Sequence, residues 1–165
     1  MSQPRSIDSI KPEFDQFIAG FNSVILSTLS ATGQPEASYA PCVQGEKGFY
    51  VLLSELAAHT QNLLQQPDLS LFFIEPETQA KNIFARQRAS LAAKATPIAR
   101  NTPTWEAALE QMTQTLGPTV SLIRDLKDFR LFFLEPYQAQ FVIGFGQAYR
   151  LSGPDLQDVE QMTAK

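Results

Sequence analysis

Arg86, Arg88 and Ser90 alternate along one stretch of strand-like sequence, and side chains two apart on a strand share a face. Two guanidinium forks beside a hydroxyl make a clamp suited to a phosphate or a carboxylate. Lys81, one short segment earlier, extends the same positive patch. A solvated strand face accounts for the spacing equally well without a ligand. Ser38, Ala40 and Cys42 also share a face, and all three are small. A flat ring has room against such a face, and tight packing under a helix is the alternative. Pro41 removes a ladder donor, which places this strand at an edge or at a bulge. His59 lies three residues after Leu56 and four before Leu63, on or beside the apolar stripe of a helix. It is either a hydrogen-bonded core residue or a ligand contact near a helix N-terminus, where anions are favoured. Gly144 and Gly146 flank Phe145 in a strand-like run and permit close approach of a backbone or a ligand. Asp125 and Asp128 read as capping and solvation in a turn rather than as a catalytic dyad. No phosphate loop, nucleophile elbow or HExxH pattern occurs.

The elements that must position these groups fit one domain. A chain of 165 residues buries a sufficient core by itself. With 44% hydrophobic and 18% charged residues it belongs with globular rather than disordered sequences. Twelve phenylalanines suggest a core, or a pocket, filled with rings. The net charge of -4 disfavours a wide basic surface for nucleic acid. A single cysteine excludes an intramolecular disulfide, and a single histidine leaves no Cys/His cluster for zinc. The first eleven residues show no cleavage signature, and no run approaches the ~20 apolar residues of a bilayer span. The expectation is a cytoplasmic protein with neither membrane nor nucleic acid as partner.

Periodicity predicts a first helix over 10–22, with Phe14, Phe17, Ile18 and Phe21 on one face and Pro12 in its first turn. Strands follow over 23–30, 35–44 and 48–54, joined by short turns. Ser54 is read as the cap of a helix running to Gln66. Strands are then expected over 69–75 and 86–95, with a loop or short helix between them. A helix over 103–116 has Thr102 as cap and Pro103 at its first position. A short helix to about 126 precedes a strand over 129–134, a turn over 135–137 and a last strand over 139–151. The tail, 152–165, is expected to hold a short helix. Strands outnumber helices and fall in antiparallel pairs. A doubly wound βαβ sheet is therefore disfavoured against a closed or partly closed antiparallel barrel with helices at its ends and flanks.

Five segments in order carry a family likeness: Ser38-Tyr39-Ala40-Pro41, HTQNL at 59–63, ETQAKNIFARQR at 77–88, LKDFRLF at 126–132 and GFGQAY at 144–149. Together they resemble the haem-utilisation (HugZ/HutZ-type) branch of the pyridoxamine 5'-phosphate oxidase-like, FMN-binding split-barrel family, over about residues 13–156. The resemblance implies a mainly β fold with flanking helices, a six- to seven-stranded antiparallel split barrel over 23–151 within a single domain, 1–165. It also implies a homodimer with cofactor clefts at the interface, holding FMN by its phosphate or haem in the corresponding place. Lys81, Arg86 and Arg88 match the basic positions, and His59 and Asp128 fall on conspicuous positions of the haem branch. Haem-degrading members coordinate iron through a histidine beyond the last strand. The sequence as given has only His59, so haem would turn to it, to a tyrosine, a methionine or Cys42, or would bind without a strong protein ligand.

The first expectation is an FMN-binding protein with an oxidoreductase role, since FMN is itself redox-active and the protein need only bind and tune it. The expected cofactor contacts are Ser38, Tyr39, Ala40, Ser54, His59, Asn62, Lys81, Arg86 and Arg88, with the small face of Ser38, Ala40 and Cys42 near the ring. Asp128 is the one candidate for a catalytic role. The alternatives are a haem carrier or haem degrader using the same cleft, its propionates on the same arginines, and a split barrel without catalysis.

Overall fold

The computed structural model describes residues 6–163; the expected domain limits at 1 and 165 lie outside them. The first helix, α1 (Ile10–Ala19), buries Ile10, Phe14 and Ile18, as their helical spacing requires. Nine strands follow in one antiparallel sheet: β1 (Ser23–Leu29), β2 (Pro35–Pro41), β3 (Val43–Gln44), β4 (Phe49–Ser54), β5 (Asp68–Ile74), β6 (Arg88–Ile98), β7 (Phe129–Gly144), β8 (Gln147–Ser152) and β9 (Asp158–Gln161). The helices between them are α2 (Ala58–Gln65), α3 (Pro103–Leu116) and α4 (Thr119–Ile123).

The strand order is β2-β1-β5-β6-β7-β4-β3, with β8 on the far half of β7 and β9 on β8. The sheet curls until β2 approaches β4 without pairing to it, so the barrel stays split. β2 is the outermost strand beyond β1 and ends at Pro41, the edge position that proline demands. Rings fill the inside: Phe14 and Phe17 each lie 5.5 Å from Phe141, and Phe49 and Phe21 lie 5.3 and 5.4 Å from Phe73.

A second, smaller core forms on the outside. Trp105, Ala108, Leu109 and Met112 of α3, with Val120 of α4, cover Val43, Leu52 and Leu131 of the sheet. Thr102 caps α3 by accepting the Trp105 amide at 3.2 Å, with Pro103 at the first helical position. Among the described residues the outer face of β2-β1-β5-β6 has no such cover. Across its ladder Tyr39, Ile25, Phe72 and Ser90 stand in one row, and Tyr39 and Ile25 are 64% and 40% exposed.

Five expectations are corrected. Residues 135–137 do not turn; β7 runs straight through them. Its Tyr137 is the extra residue of a bulge opposite the Ala92–Ala93 step of β6. Pro136 is tolerated because it falls between the stretches of β7 that pair with β4 and with β8. The run 139–151 is a hairpin rather than one strand, and Gly146, at φ 66, takes the left-handed turn position. The tail is more than the short helix expected: a 3-10 turn, Pro154–Leu156, is followed by β9, paired to β8. Ser54 does not cap α2, which begins four residues later after Ala57; the Glu55 amide is held by the Asp128 carbonyl, so the chain must turn before it can coil. Finally, β6 begins at Arg88 instead of Arg86. Asn82 caps a 3-10 turn, Ile83–Ala85, by accepting the Phe84 amide, and this delays the strand.

Candidate functional site

Two separate groups of the expected residues emerge. The first gathers around α2. Burial alternates along β1, so Val24, Leu26 and Thr28 point inward, and Glu36 stands opposite Thr28 in the β1–β2 register. Asn62, on the buried side of α2, donates through Nδ2 to Thr28 Oγ1 at 3.0 Å and to Glu36 Oε2 at 2.6 Å. Three residues earlier, His59 Nδ1 meets Ser38 Oγ at 2.8 Å. The ring is half-buried, and burial holds its pKa below the ordinary imidazole value, so it is neutral near pH 7. Among the described residues nothing else is bonded to the ring, which leaves Nε2 available to a ligand.

The approach to α2 is tied down separately. Ser54 Oγ donates to Asp128 Oδ2 at 2.9 Å and accepts the Leu56 amide at 3.2 Å. The Glu55 amide donates to the Asp128 carbonyl at 2.6 Å, and Arg130 pairs with the Glu55 carboxylate. Thr60 Oγ1, buried beside His59, donates to the Ser54 carbonyl at 2.6 Å. Ser38, Ser54, His59, Asn62 and Asp128 are thus all engaged along α2 and its approach, in three separate hydrogen-bonded sets: His59 with Ser38, Asn62 with Thr28 and Glu36, and Ser54 with Asp128 and Thr60. The sequence reading missed Thr28 and Glu36. For Thr28 the signal was present, since it follows Val24 and Leu26 at the inward positions of β1; Glu36 shares its face with Ser38 and Ala40 and carries no such mark.

The second group is basic. Arg86 does not lie on the strand face beside Arg88. It folds back so that Nε and Nη2 both donate to the Glu75 carbonyl, at 3.1 and 2.5 Å, while Nη1 meets Glu77 Oε1 at 3.2 Å. Arg88 lies in line with Ser90 on the outer face and gives one Nη1 bond to the Arg86 carbonyl at 2.9 Å. Lys81 is exposed, and no carboxylate pairs with it among the described residues. The expected two-fork clamp is therefore half occupied by the protein's own acceptors.

The small face does not lie open to a ring. Ala40 and Cys42 are inside the core, and burial pushes the Cys42 thiol up to about 12. Of that strand, Tyr39 is the large side chain offered to the outside. Within one chain the two groups do not converge. Ser38 and Leu91 are three strands apart along one register row, roughly 14 Å, and Arg88 lies about 10 Å farther along β6 on the opposite face. A cleft of about 920 Å³ is lined by residues of neither group. It opens between α1, the bulge of β7 and residues 153–157, and its rim mixes Lys11, Lys47 and Lys94 with Asp15, Glu135 and Asp155.

Comparison with known proteins places this geometry. Residues 10–143 match the family model described as pyridoxamine 5'-phosphate oxidase. The chain is 40% identical over 158 residues to "Heme oxygenase HutZ" of Vibrio cholerae serotype O1, covering 96% of this chain and 90% of that protein. A crystal structure of HutZ, described as the heme storage protein of Vibrio cholerae, superposes with a TM-score of 0.76 at 36% identity, over 82% of this chain and 96% of that one. ChuZ of Campylobacter jejuni superposes with a TM-score of 0.87 at 29% identity, over 96% of this chain and 64% of the longer ChuZ. The chain belongs to the pyridoxamine 5'-phosphate oxidase-like split-barrel family, in its haem-utilisation, HugZ/HutZ-type branch.

Proposed function

We propose that this protein binds haem in a cleft completed by a second copy of the chain. The observation that carries the proposal is the His59–Ser38 hydrogen bond, which fixes a neutral, half-buried imidazole in a chain so similar to HutZ. Ser38 orients the ring through Nδ1, and Nε2 is the atom left to face the iron or a group on it. Haem, when bound, supplies the redox-active iron. The chain supplies orientation, an apolar shelf and cations for the propionates. Tyr39, Ile25 and Phe72 form the shelf, and Arg88 and Lys81 are the cations of the basic group that no acidic side chain holds among the described residues. The open row on β2-β1-β5-β6 favours a twofold dimer, because α3 and α4 cover only the other outer side.

FMN is the second reading, favoured by the family model. It is weakened by Arg86, whose guanidinium is taken by Glu75 and Glu77 and not held open for a phosphate. Titration with hemin is expected to give a Soret band saturating at one haem per chain, and His59→Ala to displace that band and weaken binding about tenfold or more. A band that the substitution leaves unchanged removes His59 from the site. Tight FMN binding without hemin binding reverses the order of the two readings.

A further inference from the structure

Arg100 stands two residues past the end of β6 and lies outside both groups described above. Its guanidinium stacks on Trp105, 4.7 Å from the ring centroid. It donates to three carbonyls of one short segment: Arg124 at 2.9 Å, Phe129 at 2.8 Å, and Leu126. Among the described residues no carboxylate pairs with it, and the hydrogen bonds that its Nη1 and Nη2 donate all go to the end of α4 and the turn behind it. Asp128 sits in that turn, between two of the three bonded carbonyls. From there hydrogen bonds run as far as Thr60, the neighbour of His59 along the chain. Asp128 holds the Ser54 hydroxyl and the Glu55 amide, Ser54 holds Thr60, and Thr60 adjoins His59.

We propose that Arg100 is a positioning residue for the His59 site, acting through the 124–129 turn and Asp128 on the approach to α2. A flexible turn presents Asp128 in many orientations. Three carbonyls bound to one planar fork allow few, because the fork fixes direction as well as distance. Arg100 therefore sets where β4 hands over to α2, and with it the direction of the imidazole. The inference deepens the haem reading of that site and rests on it for its functional meaning.

His59 is the chain's only histidine, so its Cε1–Hε1 resonance in the ligand-free protein is assigned by composition. Measured at one pH, Arg100→Ala is expected to move it in the same direction as Asp128→Ala and at least half as far. Adding Arg100→Ala to Asp128→Ala is expected to move it little further. Met112→Ala, a core truncation in the same helical layer, is expected to leave it in place. Arg100→Lys keeps the charge but cannot reach all three carbonyls, so it should fall between, and it carries the test alone if the alanine variant does not fold. In the hemin complex the same order should appear in the Soret position. An unmoved resonance in the Arg100 variants, an equal shift from Met112→Ala, or full additivity with Asp128→Ala overturns the proposal. Absence of hemin binding by the unmodified protein defeats the haem reading and leaves the ligand-free result to stand or fall separately.

Discussion

Replacing Asn62 by Asp changes almost no volume and reverses one interaction. The native Nδ2 donates to Glu36 Oε2 at 2.6 Å and to Thr28 Oγ1 at 3.0 Å, with Asn62 7% and Thr28 1% exposed. In Asn62→Asp an oxygen takes the donor's place and faces another carboxylate. The lost charge-assisted hydrogen bond costs ~1.5–3 kcal/mol. Two carboxylates this close cannot both ionise, so the introduced carboxyl is pushed up, and each unit is worth ~1.4 kcal/mol. Glu36 is half-buried and partly screened, which favours the lower end, about 3 kcal/mol in all near pH 7.5. For 165 residues the unfolding entropy is about 0.35 kcal/mol per degree, so the melting temperature should fall by about 9 °C. The sign with pH follows from linkage. The introduced carboxyl has its folded pKa above its unfolded one, so the folded state holds more protons between about pH 4 and that raised value. Stability then falls as pH rises through the window, and the penalty should be smaller at pH 5 than at pH 7.5. Asn62→Leu loses the same donors without adding charge, and its penalty should not vary in this way. Thermal and urea melts of both variants at the two pH values make the comparison. An equal loss at both pH values for Asn62→Asp would refute the Glu36 contact, and with it the clamp that seats α2 on β1 and β2.

Cys42, buried and with its thiol at about 12, should react with an aromatic disulfide at pH 8 at least ~10³-fold slower in the native protein than in urea; comparable rates would place it at the surface. In Gly48→Ala the new Cβ would stand 2.2 Å from the Leu134 carbonyl oxygen and 2.9 Å from the Phe133 ring, so the β3–β4 turn must shift, at a cost of about 2 kcal/mol or more by chemical denaturation. Because burial lowers the His59 pKa in the folded state, the unfolded chain binds the more protons, and stability should fall as pH drops below about 6.5. His59→Gln should flatten that part of a pH series of melts. Sedimentation equilibrium at micromolar concentration should give twice the 18.3 kDa chain mass, and Ile25→Asp, on the uncovered sheet face, should shift it toward the monomer; a monomer in the unmodified protein would leave the cleft without its second wall.

Signals confined to a few neighbouring residues were legible in the sequence. Pro103 after Thr102 set the start of α3, the spacing of Phe14 and Ile18 set the inward face of α1, an apolar run marked β5, and alternation marked β6. The ordered segments from Ser38 to Tyr149 named the family, because a barrel's turns and inward positions constrain residues all along the chain. Tertiary structure alone decided what depends on distant partners. β7 continues through Pro136 because β6 pairs with it there while its other neighbours do not. Arg86 leaves its expected row because the Glu75 carbonyl, 11 residues away, takes its guanidinium. Serines 38 and 54 acquire their roles from His59 and Asp128, 21 and 74 residues distant. Alternation states that two residues share a face, but not whether that face turns inward. The curl of the whole sheet settled this, sending Ala40 and Cys42 into the core and leaving Tyr39 and Ile25 outside. Hydrogen bonds between residues far apart in sequence have no local periodicity, so only the folded chain fixes them.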